Sequence, residues 1–424
     1  MIPLPWDLLP GRNQRLRLLA HTRQILAVML PLGALVGFLV GLALKGLDAL
    51  EPRIANTAGH AWPALALPAV GLLLNAFWLR GTGIGEVSLF NDLDLARRDP
   101  YQVFPFHRSI GKVVGCVLTI GFGGSAGVEG PGKWFGAAVG LQCHRVLRFL
   151  SSRAGVVRRL ARPPIVMVRG GAAAALAAVF RAPLSGALMA AEHDGRLAAG
   201  STLPCLVSAA TGYFFFTRVM GTRPLLPIPG AYPFALRGRE ILWALVLGLM
   251  CGFAATLYLW LREQLGRILA RHPLPLRALV AGIGLTLLAL PSHLLWHGFP
   301  VTQGGGLDMV RHLVQGETLP AEAVAFLALK LAATALTFAG GGIGGLWLPS
   351  LAMGAAVGAA FDAWVGLGQT GYFTLLGAAS VAGATHGTLL VPVVFLAETT
   401  GQTMLVVPAL LGTTVSYLVA REGS

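Results

Sequence analysis

Residues 127–140 read GVEGPGKWFGAAVG, and residues 345–358 read GLWLPSLAMGAAVG. Each stretch has a glycine, a proline four residues later and GAAVG five residues beyond that proline, so the second repeats the first at an offset of 218. Proline suits the first turn of a helix, and the glycine ahead of it permits close approach, so each Gly-x-x-x-Pro opens a helix. Further along, APLSGALMAAEHD (182–194) matches TLLVPVVFLAETT (388–400), with Glu192 answering Glu398 at an offset of 206. Two correspondences in the same order outweigh the alternative, that small-residue packing motifs recur in any glycine-rich helix. The copies divide the chain into repeats at 25–220 and 240–420, preceded by an N-terminal segment at 1–24. The letters leave open whether one repeat is inverted relative to the other.

Within the first copy, Glu129 is a carboxylate in an apolar run, and composition sets what that costs. The 424 residues are 55% hydrophobic and only 12% charged, with 56 glycines and a mean hydropathy of +0.70. A soluble domain carries about 25% charged residues, so the solvent here is a bilayer. Stretches such as 25–44, 240–261 and 278–296 are each about 20 residues long, enough to cross a hydrocarbon core. Others are shorter and broken by glycine. Only helices satisfy their own backbone in lipid without a closed barrel, and the fold class is an all-α polytopic membrane protein of about fifteen helical segments, some of them half spans. An ionisable group at membrane depth costs at least a few kcal/mol, so Glu129 reads as functional.

The net charge of +14 lies in hydrophilic breaks rather than on one aromatic-studded face, which argues against nucleic acid as a partner. Arg12, Arg15, Arg17 and Arg23 precede the first span and place the N-terminus in the cytoplasm. The side occupied by the arginines of 145–169 stays open. Cys116, Cys143, Cys205 and Cys251 have no paired spacing and imply neither a disulfide framework nor a zinc site.

A helix that begins within the membrane presents unpaired amide hydrogens and the positive end of its dipole, a ready anion site. Two such starts, near Gly130 and near Trp347, converge on one small anion. Binding that is weak enough to release suits conduction. Repeats broken by glycine at matching places point to a transporter with its site between the halves.

GTGIGE (81–86), GVEGPGKWFG, VFRAPLSGALMAAE and GGIGGLWLPSLAMGAAVG, in that order, resemble the CLC family of chloride channels and chloride/proton antiporters over about residues 30–418. The resemblance implies a CLC-like fold of two pseudo-repeated halves with discontinuous, tilted helices. Three glycine-rich signatures there begin helices that coordinate the anion. Glu129 is then the gating glutamate, acting as gate and proton carrier, and the anion-binding residues are Thr82, Gly83, Gly130, Leu346 and Trp347, with the buried Lys112 helping to hold the anion. At the place where family exchangers carry a proton-passing glutamate this sequence has His193, preceded by Glu192, and both are expected in the proton relay. The implied activity is chloride transport by proton-coupled antiport, with a passive chloride channel or a fluoride exporter as alternatives on the same fold. No cofactor is implied beyond the transported ion, and no enzymatic activity. The expected partners are small inorganic anions, protons, membrane lipids and a second copy, in a homodimer of the bacterial inner membrane.

The sequence departs from the family at several positions. Val128 stands where a basic residue is usual, Trp347 replaces phenylalanine, and Thr82 and Gly85 replace serine and proline. A final-helix tyrosine often reaches the family's anion site, but LVAREGS stops short of that helix, so Tyr417 is not given the role, and no soluble C-terminal domain is expected. GGSAG (123–127) fits the nucleophile pattern of a membrane-embedded hydrolase around Ser125, but lies in an apolar run without the strand-to-helix context that pattern needs. His293 and His297 lack a third metal ligand. Asp308, Arg311, Lys330 and Asp362 read as packing or interfacial pairs.

Overall fold

The computed structural model describes residues 12–57, 61–84, 92–153, 162–192, 197, 199–226, 238–296, 301–316, 318–366 and 370–422. Gly85, His193, Asp194 and His297 lie outside the described residues. The first repeat contains α1 (Arg12–Thr57), α2 (Ala61–Thr82), α3 (Asp92–Arg98), α4 (Pro100–Val103), α5 (Phe106–Ile120), α6 (Glu129–Arg153), α7 (Pro164–Phe180), α8 (Pro183–Ala191) and α9 (Ala199–Met220). The second contains α10 (Gly238–Leu269), α11 (Leu274–Leu295), α12 (Leu307–Gln315), α13 (Pro320–Ala339), α14 (Trp347–Val365), α15 (Tyr372–His386), α16 (Leu390–Thr400) and α17 (Val406–Glu422). Eight of the described helices are long and apolar enough to cross a membrane. Their outer faces carry bare apolar side chains, among them Leu242, Phe253, Leu287 and Trp364, the reverse of a water-soluble surface and the face that lipid requires.

Packing follows the repeat. α1 lies along α9, and α10 along α17. α6 packs on α7, and α14 on α15, in both cases through GAAVG. A methyl group on Gly136 would collide with the Gly171 backbone, and one on Gly354 would collide with the Gly377 backbone. The small residues therefore set the same close helix crossing in each half, the usual driving contact where hydrophobic burial offers nothing in lipid. The interior is made mostly of alanine and glycine, with larger rings at Phe180, Trp347, Phe361, Phe373 and Phe395.

Candidate functional site

Helices α6 and α14 begin inside the protein, each after a glycine-rich loop, and the two loops are bonded to one another. Gly127 and Gly345 form an isolated antiparallel bridge, with Gly127 N–H donating to Gly345 O at 2.8 Å and Gly345 N–H donating to Gly127 O. These are equivalent residues of the repeat, so the two copies run in opposite directions where they meet. The Thr119 hydroxyl oxygen accepts from Ile343 N–H at 3.0 Å, and that of Thr337 accepts from Ser125 N–H at 3.0 Å. Thr119 and Thr337 are 218 residues apart, as are Ser125 and Ile343. Each repeat therefore holds the other's loop by the same bond, worth about 1 kcal/mol. Within each loop Gly124 N–H donates to Thr119 O and Gly342 N–H to Thr337 O, both at 2.8 Å. Gly123 and Gly341 take φ of 91° and 87°, a conformation that favours glycine. The result is a local two-fold arrangement that brings two helix starts together in the apolar interior.

Glu129 fills the space between them. Its side chain is 4% exposed, and Oε1 accepts from Leu348 N–H at 3.2 Å, in the first turn of the opposite repeat's helix. A methyl group on either Gly127 or Gly345 would overlap the Glu129 carboxylate, so the paired glycines are what make room for it. Glu129 Oε2 is equally buried and has no hydrogen-bond donor among the described residues. A carboxylate held by backbone amides at a helix start occupies the kind of position a small anion takes. The oxygen left without a donor costs roughly 1–3 kcal/mol.

Gly130, Leu346 and Trp347 sit at the two helix starts, with Leu346 as the residue ahead of α14. Lys112 is buried on α5 with Nζ 3.0 Å from the centre of the Trp134 ring, beside the second turn of α6. Thr82 and Gly83 lie apart from these two helix starts in the sequence, at the close of α2. They are exposed at the end of α2 rather than at the start of a helix, and the Thr82 hydroxyl donates back to Trp78 O at 2.7 Å, the ordinary habit of a helical threonine. Glu192 is the residue that ends α8. Its counterpart Glu398 accepts from Leu184 N–H and Ser185 N–H, both at 2.8 Å, at the start of α8. Glu398 thus caps the start of a helix in the other repeat. Ser125 Oγ pairs with Thr334 Oγ1 at 2.8 Å, fully buried, so its hydroxyl has a structural partner instead of the histidine that a hydrolase needs.

Of the two readings for Lys330, packing and an interfacial pair, the structure shows packing. It is 0% exposed, and Nζ donates to Gln303 O at 3.0 Å and Gly304 O at 2.7 Å. Gly304 N–H in turn donates to Gly124 O at 3.1 Å, so QGGG (303–306) is pinned over the loop that precedes Glu129. Lys112 and Lys330 stand 218 residues apart, and carrying the repeat back along α5 and α13 is the signal that finds the second lysine.

A sequence model described as voltage gated chloride channel matches residues 69–421. The chain is 25% identical over 423 residues to the H(+)/Cl(-) exchange transporter ClcA of Vibrio vulnificus, covering 93% of this chain and 86% of that one. Among solved structures it is similar to a slow cyanobacterial Cl-/H+ antiporter, with a TM-score of 0.78 at 19% identity over 94% of both chains. It is also similar to a CLC-type fluoride/proton antiporter, with a TM-score of 0.72 at 23% identity over 93% of this chain and 95% of that one. With two converging helix starts, a glutamate seated between them and a family match over most of its length, the chain belongs to the voltage-gated chloride channel family of CLC proteins.

Proposed function

We propose that the protein exchanges a small anion, chloride in the first instance, for protons across a membrane, with Glu129 as the gate. The observation that carries this reading is the Glu129 carboxylate between Gly127 and Gly345, accepting from Leu348 N–H at the start of α14. Ionised, the side chain is itself an anion in an anion's seat and closes it. Protonation removes the charge that the helix start holds, the side chain leaves, and a permeant anion takes the amides of α6 and α14 in its place. One group then alternates between carrying a proton and competing with the anion, which couples the two fluxes. Gly130, Leu346 and Trp347 supply the backbone of the site, and Lys112 adds positive charge beside α6. Glu192, with His193, is proposed for proton passage at the end of α8.

A homodimer in a bacterial inner membrane belongs to the same proposal, paired through the apolar faces of 182–220 and 388–420. Fluoride is the second reading for the same site, since a structure that shares the fold is named a CLC-type fluoride/proton antiporter. Purified protein in liposomes tests the exchange directly. An outward chloride gradient drives proton uptake if the proposal holds, whereas chloride movement without protons at any pH between about 5 and 8 makes it a passive channel.

A further inference from the structure

On the outside of the first repeat, α1, α5, α6 and α7 enclose a groove of about 560 Å³. It is lined along α1 from Ala27 to Leu39, by Phe106 of α5, by Val139 and Val146 of α6 and by Met167 of α7, and its walls are apolar but for Gln142 and Cys143. Leu35, Phe106 and Val146 remain exposed in those walls, so the groove opens outward rather than into the core. At about 1.5 Å per residue the α1 wall is roughly 18 Å long, close to the depth of one leaflet of a hydrocarbon core about 30 Å thick. Over that length the volume leaves a cross-section of about 30 Å², against roughly 80 Å² for a helix about 10 Å across, so the groove seats a hydrocarbon chain and not a helix.

One end of the groove is basic. Arg162 Nη2 donates to His21 O at 3.2 Å, which joins the segment ahead of α7 to the start of the apolar run of α1. Gly136 lies against Gly171 and Gly140 against Met167, a register that brings Arg145 of α6 opposite Arg162. Arg23 stands one turn ahead of Ala27 on the same face of α1. Seven arginines and no acidic residue fall between 145 and 169, so no carboxylate of that stretch neutralises this end. Two buried donors there lack an acceptor among the described residues, Gln142 Nε2 in the groove wall and Arg162 Nε. Gln142 is also tied to the basic end, because its Oε1 accepts from Arg145 Nη1 at 3.3 Å. Buried donors without a partner call for an acceptor, and arginine meets phosphate oxygens with a fork of parallel bonds.

We propose that this groove binds an anionic glycerophospholipid, with one acyl chain laid along α1 from Ala27 to Leu39 and the phosphate held by Arg145, Arg162 and the Gln142 amide. Basic pockets between transmembrane helices take anionic headgroups, and here the basic end continues into an apolar seat of leaflet depth. A zwitterionic lipid carries a phosphate too, but brings a cation to the same arginines and is disfavoured. Gln142 lies about 20 Å along α6 from Glu129, so the lipid sits clear of the anion seat and the site does not depend on the exchange reading. Bound lipid stabilises the packing of α1, α6 and α7 by mass action.

Native mass spectrometry of the full chain, incubated in detergent with equal amounts of dioleoyl-phosphatidylglycerol and dioleoyl-phosphatidylcholine, reads the site directly. Wild type should retain phosphatidylglycerol in preference to phosphatidylcholine, and Arg145→Gln and Arg162→Gln should each lower that preference about fivefold. Ala27→Trp fills the chain's seat and should reduce phosphatidylglycerol retention with both arginines in place. Equal retention of the two lipids by wild type means an annular layer only and overturns the site. An unchanged preference in both arginine variants overturns the headgroup contact, and full retention in Ala27→Trp overturns the chain's seat. If Arg162→Gln fails to fold for want of its bond to His21, Arg145→Gln, at an exposed position, makes the same test. Thermal unfolding separates a lipid from a free anion: phosphatidylglycerol should raise the midpoint and inorganic phosphate should not, and an equal rise with phosphate alone overturns the lipid.

Discussion

The loops at 121–127 and 339–345 have nearly the same backbone and different chemistry at their ends. Both turn through a left-handed glycine, both are held by a threonine of the other repeat, and they pair at Gly127 and Gly345. Beyond the bridge one helix starts with Glu129 and the other with Trp347. The shared part is what brings two positive helix ends to one point; like ends repel, and the reciprocal bonds hold them there. The unshared part puts a carboxylate on one side only. Symmetry in this molecule brings the helix starts together, and Glu129, which has no acidic counterpart at Trp347, is the proposed gate.

The lysines repeat the lesson. Lys112 faces an indole ring and Lys330 faces two carbonyl oxygens, so equivalent cations are stabilised by different means.

The sharpest way to break the comparison is at Glu129. Glu129→Gln should abolish proton movement and flatten the pH dependence of chloride flux while the protein still folds, read as proton uptake in liposomes; wild-type proton transport in that variant would defeat the gate. Gly345→Ala comes next. Its methyl group overlaps the carboxylate, so the side chain is displaced and anion flux should lose most of its response to pH, even though Glu129 itself is intact. Lys330→Met strands two buried carbonyls and should cost about 2–3 kcal/mol in unfolding in detergent. Lys112→Met gives up a cation–π contact worth about 1–2 kcal/mol, so a larger loss at Lys112 than at Lys330 would reverse the ranking. Thr119→Val and Thr337→Val remove equivalent bonds and should each cost about 1 kcal/mol, equal to one another within about 0.5 kcal/mol. A clear inequality would mean that the two-fold arrangement is not energetic.

Much of this was legible before any coordinates. The offset of 218 identified both helix starts because proline and glycine constrain the backbone whatever surrounds them. Glu129 stood out because a carboxylate in an apolar run needs a reason. Thr119 and Thr337 were silent, since a threonine in an apolar helix ordinarily bonds its own helix, and both do so as well as capping the opposite loop. Thr82 follows the same habit, its hydroxyl donating to Trp78 O. The orphan Nε2–H of Gln142 depends on which atoms approach the amide, which no spacing encodes. Lys330 was readable through the repeat, and only its carbonyl partners required the fold.

The central claim is that the starts of α6 and α14 form one anion site that Glu129 occupies when closed. Glu129→Gln crystals soaked in bromide test it most directly. The account predicts an anomalous peak within hydrogen-bonding distance of Leu348 N–H, between Gly127 and Gly345, where the carboxylate lies in the closed state. Bromide found only beside surface arginines, with that position empty, would contradict it.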